Sequence, residues 1–206
     1  MLERFRQFWT DLFKPISHLL IRLGVSPDTV TIVGTVGVIF GALVFFPRGQ
    51  LWIGVLVITA FVFSDLIDGY MARTLGTSSR WGAFLDSTLD RLGDAAIFAG
   101  LVLWFFGGGD NRLLGYVALW ALVMGSVTSY TRAKAESLGM QAKGGIAERA
   151  DRLVAVLVIT FFADLLDLPI LLAIVLWALA AASTITVIQR MVLVRRQALA
   201  GPTLPI

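Results

Sequence analysis

Three stretches of this sequence, Thr29 to Phe46, Leu113 to Thr131 and Pro169 to Gln189, contain no charged residue at all. At a rise of 1.5 Å per residue an eighteen-residue helix covers about 27 Å, close to the roughly 30 Å of a bilayer's hydrocarbon. Such runs restrict the chain to structures that satisfy every backbone group internally, and in lipid that means helices or closed barrels. The apolar residues are not alternating, so helices are expected. Composition agrees, with 57% hydrophobic and 15% charged residues, against about 25% charged in a soluble domain.

Six segments are expected to span: Thr29 to Phe46, Trp52 to Arg73, Trp81 to Phe106, Leu113 to Ala133, Arg149 to Leu166 and Pro169 to Arg190. The turns between them carry Gly, Pro and Asn, and only Lys134 to Glu148 is longer. Ahead of them, Leu2, Phe5, Phe8, Trp9, Leu12, Phe13, Ile16, Leu19, Leu20 and Leu23 form an i, i+3, i+4 stripe. Arg4, Arg6, Lys14 and Arg22 lie opposite, so residues 1–24 read as an amphipathic helix in the membrane interface, bent at Pro15. His18 falls on its polar side and reads as a solvated surface residue. No cleavage site follows the basic N-terminus, so a removed signal peptide is not expected. The fold expected is therefore a single all-α integral membrane domain over 1–206.

Of the 17 Lys and Arg, only Arg48 and Arg112 lie on one side of the expected bilayer. The positive-inside rule then places both termini and the charged loops in the cytoplasm. The same asymmetry accounts for a pI near 9.7, which needs no nucleic-acid partner. With no cysteine and one histidine, thiolate chemistry and histidine-rich zinc sites are excluded, and any metal must rest on oxygen ligands.

Asp65, Asp68, Asp86, Asp90 and Asp94 nonetheless stand inside the second and third spans. Each costs about 2.5–3.5 kcal/mol at a helix centre on insertion scales, so a function is the default explanation. Asp65 and Asp68 are i, i+3 and Asp86 and Asp90 are i, i+4, so each pair shares a helix face. The short turn makes the two helices antiparallel neighbours. Asp68 and Asp86 then lie about 7.5 Å deep, and Asp65 and Asp90 about 12–13 Å. Four carboxylates at matched depth require counter-charge, which divalent cations supply; Mg²⁺, Mn²⁺ and Ca²⁺ suit oxygen ligands. A pair of such ions suits phosphoryl-group chemistry. Gly69 and Gly82 remove side chains where a helix or ligand must come close, and Arg73 is placed for a phosphate. Asp94, one turn past Asp90, reads more readily as part of a structural polar network.

The pattern Asp65-x₂-Asp68-Gly69-x₂-Ala72-Arg73-x₈-Gly82-x₃-Asp86-x₃-Asp90 resembles the signature of the CDP-alcohol phosphotransferase family. The likeness implies transfer of a phosphatidyl or similar group from a CDP-linked lipid to an alcohol, releasing CMP, with two divalent ions. It implies Asp65, Asp68, Asp86 and Asp90 as metal ligands and Asp90 also as general base. Gly69, Ala72, Arg73 and Gly82 are implied as the CDP site. Thr31 joins them, because Pro27-Asp28-x-x-Thr31 resembles the family's Pro-Asn-x-x-Thr, with Asp28 in place of the asparagine. Ser26 or Asp28 also suits a helix N-cap.

A second set of cations, Arg132, Lys134, Lys143, Arg149, Arg152 and Arg190, borders the last three spans. Topology alone explains such residues individually, but together they suit an anionic, phosphorylated acceptor. The stretches Gly82 to Arg91, Ser129 to Glu136 and Glu148 to Arg152 look like those of actinobacterial phosphatidylinositol phosphate synthases. That likeness implies CDP-diacylglycerol and inositol 1-phosphate as substrates and a homodimer. Lys134, Arg152 and Arg190 would hold the acceptor phosphate, with Arg132 and Arg149 in reserve. Other family members, such as phosphatidylglycerol phosphate synthases, are the nearest alternative. A divalent-cation transporter is a more distant one, since nothing ionic continues past Asp90 and Asp94.

Overall fold

The computed structural model describes residues 13–200. The start of the expected interfacial helix, including Arg4, Arg6 and Trp9, lies outside them. Residues 13–22 are helical (α1). There follow α2 (Pro27–Phe40), a π-helical turn (Gly41–Phe45) and a 3₁₀ turn (Phe46–Arg48). Then come α3 (Leu51–Val62), α4 (Ser64–Thr74), α5 (Arg80–Phe106), α6 (Arg112–Ser137), α7 (Arg149–Leu165) and α8 (Pro169–Leu199). No strand occurs among the described residues.

Segment boundaries follow local chemistry. Ser26 caps α2, accepting from Thr29 N at 3.1 Å, with Pro27 in the first turn. Ser79 caps α5 by accepting from Gly82 N at 3.0 Å, and Asn111 caps α6 through Leu114 N. Gly24, at φ +74°, ends α1, and Val25 N donates back to Leu20 O. Pro15 lies within the helical residues 13–22.

Two departures from the expected spans stand out. The second is broken at Phe63 into α3 and α4, immediately before Asp65. The first ends in π and 3₁₀ turns around Phe46, which is fully buried. A Cβ on Gly54 would lie 2.7 Å from the Phe46 ring, and one on Gly100 would lie 3.0 Å from it. These glycines let α3 and α5 close on either side of that ring. α8 also continues beyond Arg190, to Leu199.

The core lies between α2, α3, α5, α6, α7 and α8, centred on Ala42, Ile58, Leu101, Ala118, Val156 and Leu176, each 0% exposed. Much of the outer surface is apolar. On α8, Ile170, Ile174, Trp177, Ile185 and Ile188 face outward while Leu172, Leu176, Ser183 and Val187 face inward. Water would not tolerate so large an apolar exterior, and lipid does. Four helical stretches are long and apolar enough to cross a membrane: Pro27–Arg48, Leu51–Thr74, Arg112–Ser137 and Pro169–Leu199. α5 has the length, but any eighteen-residue window of it includes Asp90, Arg91 and Asp94. α7 has 17 residues. The molecule is thus an all-helical membrane protein whose signature acids stand on α4 and α5.

At the end of the bundle opposite the signature turn, Asp164 of α7 accepts from Trp52 N at 2.8 Å. A carboxylate from one helix thereby satisfies an orphan N–H at the start of α3.

Candidate active site

The turn 75–79 joins α4 to α5, and it is α2 that packs against both. Between them is a cavity of about 770 Å³. The N-termini of α2 and α5 contribute Ser26, Pro27, Ser79 and Gly82 to its wall. Unpaired N–H groups and the helix dipole favour negative charge at such ends, phosphate above all.

Asp65, Asp68 and Asp86 each offer a carboxylate oxygen, and these oxygens lie within 4.8 Å of one another. Asp65 is exposed to the cavity, Asp86 partly so, and Asp68 is buried. No Lys or Arg among the described residues comes within 4.0 Å of any of the three. Three negative charges with no cation in contact fit a divalent ion, which takes oxygen ligands and restores the charge balance. Thr31 Oγ1 donates its one proton to Asp68 Oδ2 at 2.6 Å and lies 3.1 Å from Pro27 O. It thereby fixes the rotation of the buried carboxylate, as outer partners do for metal ligands. Thr31 was expected at the nucleotide; it lines the cavity, but its hydroxyl is directed to Asp68.

Asp90 lines the same cavity but stands apart from the trio. Its Oδ2 is 2.7 Å from Arg149 Nη1 and 3.7 Å from Arg91 Nη2. Asp94 is bound by Arg149 as well, at 2.9 Å from Nε. The sequence alone did not single out Arg91, whose Nη1 donates to Ser129 Oγ on α6.

Gly69, Ala72, Arg73 and Gly82 all line the cavity. A Cβ on Gly69 would meet Arg73 Nη1 at 3.4 Å, and one on Gly82 would meet Ser79 Oγ at 3.4 Å and Asp28 Oδ1 at 3.7 Å. These are side-chain tips at near-ordinary contact distances, so helix packing requires neither glycine. Both stand open towards the cavity. Arg73 has no carboxylate within ion-pair distance among the described residues. Asp28 accepts from Trp81 Nε1 at 3.1 Å, tying the start of α2 to α5, and the N-cap is Ser26. His18 is exposed as expected, yet its Nε2 lies 3.2 Å from Tyr70 OH and its ring packs edge-on against the phenol. α1 therefore touches the residue after Gly69.

The five cations expected at an acceptor phosphate divide into three groups. Arg149 lines the main cavity. Arg152 and Arg190 are 4% and 5% exposed and hold only backbone carbonyls, those of Ala147 and Gly125 and those of Gly144 and Thr128. Two buried guanidinium groups with no carboxylate in contact among the described residues leave positive charge that an anion would compensate. Arg132 pairs with Glu136 at 2.9 Å, and Lys134 is exposed.

A profile of the CDP-alcohol phosphatidyltransferase family matches residues 24–145, which contain the whole acid cluster. A phosphatidylinositol phosphate synthase of Streptomyces avermitilis is 55% identical over 204 residues, covering 96% of this chain and 84% of that one. The crystal structure of the Mycobacterium tuberculosis phosphatidylinositol phosphate synthase with CDP-DAG bound superposes with a TM-score of 0.86. It is 41% identical and covers 93% of this chain and 98% of that one. The same enzyme in complex with manganese and citrate gives 0.83 at 42% identity, with 88% of each chain covered. A continuous family match across the cavity, together with relatives this similar over nearly the full length, shows that the chain belongs to the CDP-alcohol phosphatidyltransferase family.

Proposed function

We propose that this membrane transferase joins CDP-diacylglycerol to inositol 1-phosphate, giving phosphatidylinositol phosphate and CMP. One observation carries the reading: three carboxylates with no cation partner among the described residues face a cavity into which two unobstructed glycines and two helix N-termini open. A CDP group, with a flat base and a diphosphate, matches that combination. The choice of acceptor rests on the similarity to the two phosphatidylinositol phosphate synthases and on the buried, carboxylate-free Arg152 and Arg190.

Asp65, Asp68 and Asp86 would hold the metal, with Asp90 completing a two-ion set; Mg²⁺ and Mn²⁺ both suit them. Bound there, the ions would neutralise the diphosphate and the departing CMP. Gly69, Ala72 and Gly82 admit the nucleotide, and Arg73 steadies its phosphates. Asp90 takes the proton of the acceptor hydroxyl while that oxygen bonds to the phosphatidyl phosphorus and the diphosphate P–O bond breaks. Arg152 and Arg190, with Arg149, Arg132 and Lys134 around them, attract the acceptor's phosphate. α5 and α7 cross the membrane with the four apolar stretches, making six spans. The N-terminal helix lies in the interface, the site opens to the cytoplasm of a bacterial cell, and the enzyme works as a homodimer.

The test is an acceptor comparison. Purified protein given CDP-diacylglycerol and Mg²⁺ should release CMP with inositol 1-phosphate. Release with glycerol 3-phosphate alone would assign it to another branch of the family.

A further inference from the structure

α8 runs for 31 residues, about 46 Å of helix, well beyond the roughly 30 Å of a bilayer's hydrocarbon. Its surplus, from Arg190 to Leu199, stands beside the α6–α7 connection, residues 138–148, which is neither helix nor strand. Residues 141–147 make no backbone–backbone hydrogen bond among the described residues, yet Ala142 and Ala147 are 0% and 4% exposed. The loop is held instead by one stripe of α8. Thr186 Oγ1 accepts from Ala147 N at 3.2 Å, and Arg190 Nε donates to Gly144 O at 3.0 Å. Two turns further on, Gln197 Oε1 accepts from Gln141 N at 2.9 Å, and its Nε2 donates to Gln141 O at 2.6 Å. Positions 186, 190 and 197 are spaced by four and seven, which keeps them on one face of a helix. Gly145 permits the close approach: its φ is +129°, and a Cβ there would lie 2.3 Å from Thr186 Cγ2.

The same loop supports the two buried arginines. Ala147 O accepts from Arg152 Nη1 at 3.3 Å, and Arg152 Nη2 donates to Gly125 O on α6. Arg190 likewise bridges Gly144 O and Thr128 O. A guanidinium is planar, so two nitrogens held on carbonyls set the direction of the whole group. One of the two carbonyls under each arginine belongs to the loop, so the position of the loop sets the aim of both. We infer that Gln197 is a positioning residue for the acceptor: its carboxamide fastens the loop to α8 and so orients Arg152 and Arg190. A carboxamide offers a donor and an acceptor side by side, as a peptide group does, and Gln141 N–H and C=O take both. Gln197 lies seven residues past Arg190, about 10 Å along the helix, and does not line the main cavity. It acts through the loop. This role depends on the proposed binding of the acceptor phosphate by Arg152 and Arg190, and it accounts for the continuation of α8 beyond the bilayer.

The experiment is steady-state CMP release by the full-length protein in detergent micelles, with CDP-diacylglycerol and inositol 1-phosphate each varied. Gln197→Met and Gln197→Glu should raise the KM for inositol 1-phosphate about 5–20-fold, the scale of one or two lost hydrogen bonds. The KM for CDP-diacylglycerol should change less than about twofold. Methionine offers Gln141 no such pair, and glutamate sets a second acceptor against its carbonyl. Gln141→Ala should behave as wild type, because only the backbone of Gln141 makes the two bonds. Lys143 is exposed within the loop, so the rate of tryptic cleavage after it reads the fastening without turnover. That rate should rise by a similar factor in both Gln197 variants. An unchanged acceptor KM in both variants, equal rises in the two KM values, or an unchanged cleavage rate would overturn the inference. A wild-type KM for inositol 1-phosphate in Arg190→Gln would instead remove the acceptor site on which the role of Gln197 depends. The two failures are therefore distinguishable.

Discussion

Two groups of aspartates lie within a few turns of each other and are treated in opposite ways. Asp65, Asp68 and Asp86 converge to within 4.8 Å with no Lys or Arg in contact among the described residues. Asp90 and Asp94 are held by Arg149 and Arg91 from two helices. The protein supplies counter-charge to the second group and withholds it from the first. Separating carboxylates from cations in a low-dielectric site is costly, so the deficit at the trio is informative. It marks where positive charge arrives from outside, whereas the Asp90–Asp94 pair is arranged before any ligand arrives.

The largest effect should come from removing what the trio lacks. Stripping divalent ions with a chelator, or making Asp68→Asn or Asp86→Asn, should lower turnover by roughly 10³-fold or more, equivalent to about 4 kcal/mol of transition-state stabilisation. Added Mg²⁺ or Mn²⁺ should restore the stripped wild type but neither variant. Activity that persists through chelation would erase the distinction between the two groups.

Thr31→Val should come next. It deletes the 2.6 Å hydrogen bond to Asp68 and should raise the metal concentration needed for half-maximal activity by about 10–100-fold, while Thr31→Ser stays near wild type. A metal titration of CMP release reads this directly. An unchanged midpoint with a raised KM for CDP-diacylglycerol would return Thr31 to the nucleotide.

Gly69→Ala and Gly82→Ala test whether the space above the trio belongs to ligand. The added methyl meets only side-chain atoms at 3.4 Å or beyond, so the fold should be kept, and helix propensity favours Ala by about 1 kcal/mol. The KM for CDP-diacylglycerol should nevertheless rise several-fold. A lowered melting temperature with unchanged KM would mean that the glycines serve packing.

The smallest effect is expected at the far end of the bundle. Asp164→Asn weakens a single charge-assisted bond to Trp52 N, and it should cost about 1 kcal/mol of stability without changing kcat. Equal loss of turnover would show that the two ends are coupled.

Much of this was legible in the sequence because it is local. The spacing of Asp65 with Asp68 and of Asp86 with Asp90 sets their helix faces, and the short turn brings those faces together. The boundaries at Ser26, Ser79 and Pro169 follow capping chemistry that sequence displays. What remained hidden depends on contacts between distant segments. At Phe63 the sequence shows only a change from an apolar run to Ser64 and Asp65, residues that a continuous helix also accommodates, so the break itself is not signalled. Arg149 is 55 residues from Asp94, and only the fold, which brings the start of α7 within reach of α5, reveals that it pairs with the acids directly. Arg91 stood beside Asp90 and three residues before Asp94 in the sequence, which was the available sign of its pairing. Asp94 itself belongs to a polar network, as its position suggested, but that network ends on Asp90.

The contrast between the two groups can be measured without turnover. Mn²⁺ titrated into metal-free protein and followed by electron paramagnetic resonance should bind to wild type and to Asp94→Asn alike, and binding should be lost in Asp68→Asn and Asp86→Asn. Mn²⁺ binding that survives both trio substitutions, or that disappears with Asp94→Asn, would contradict the assignment of the metal to Asp65, Asp68 and Asp86.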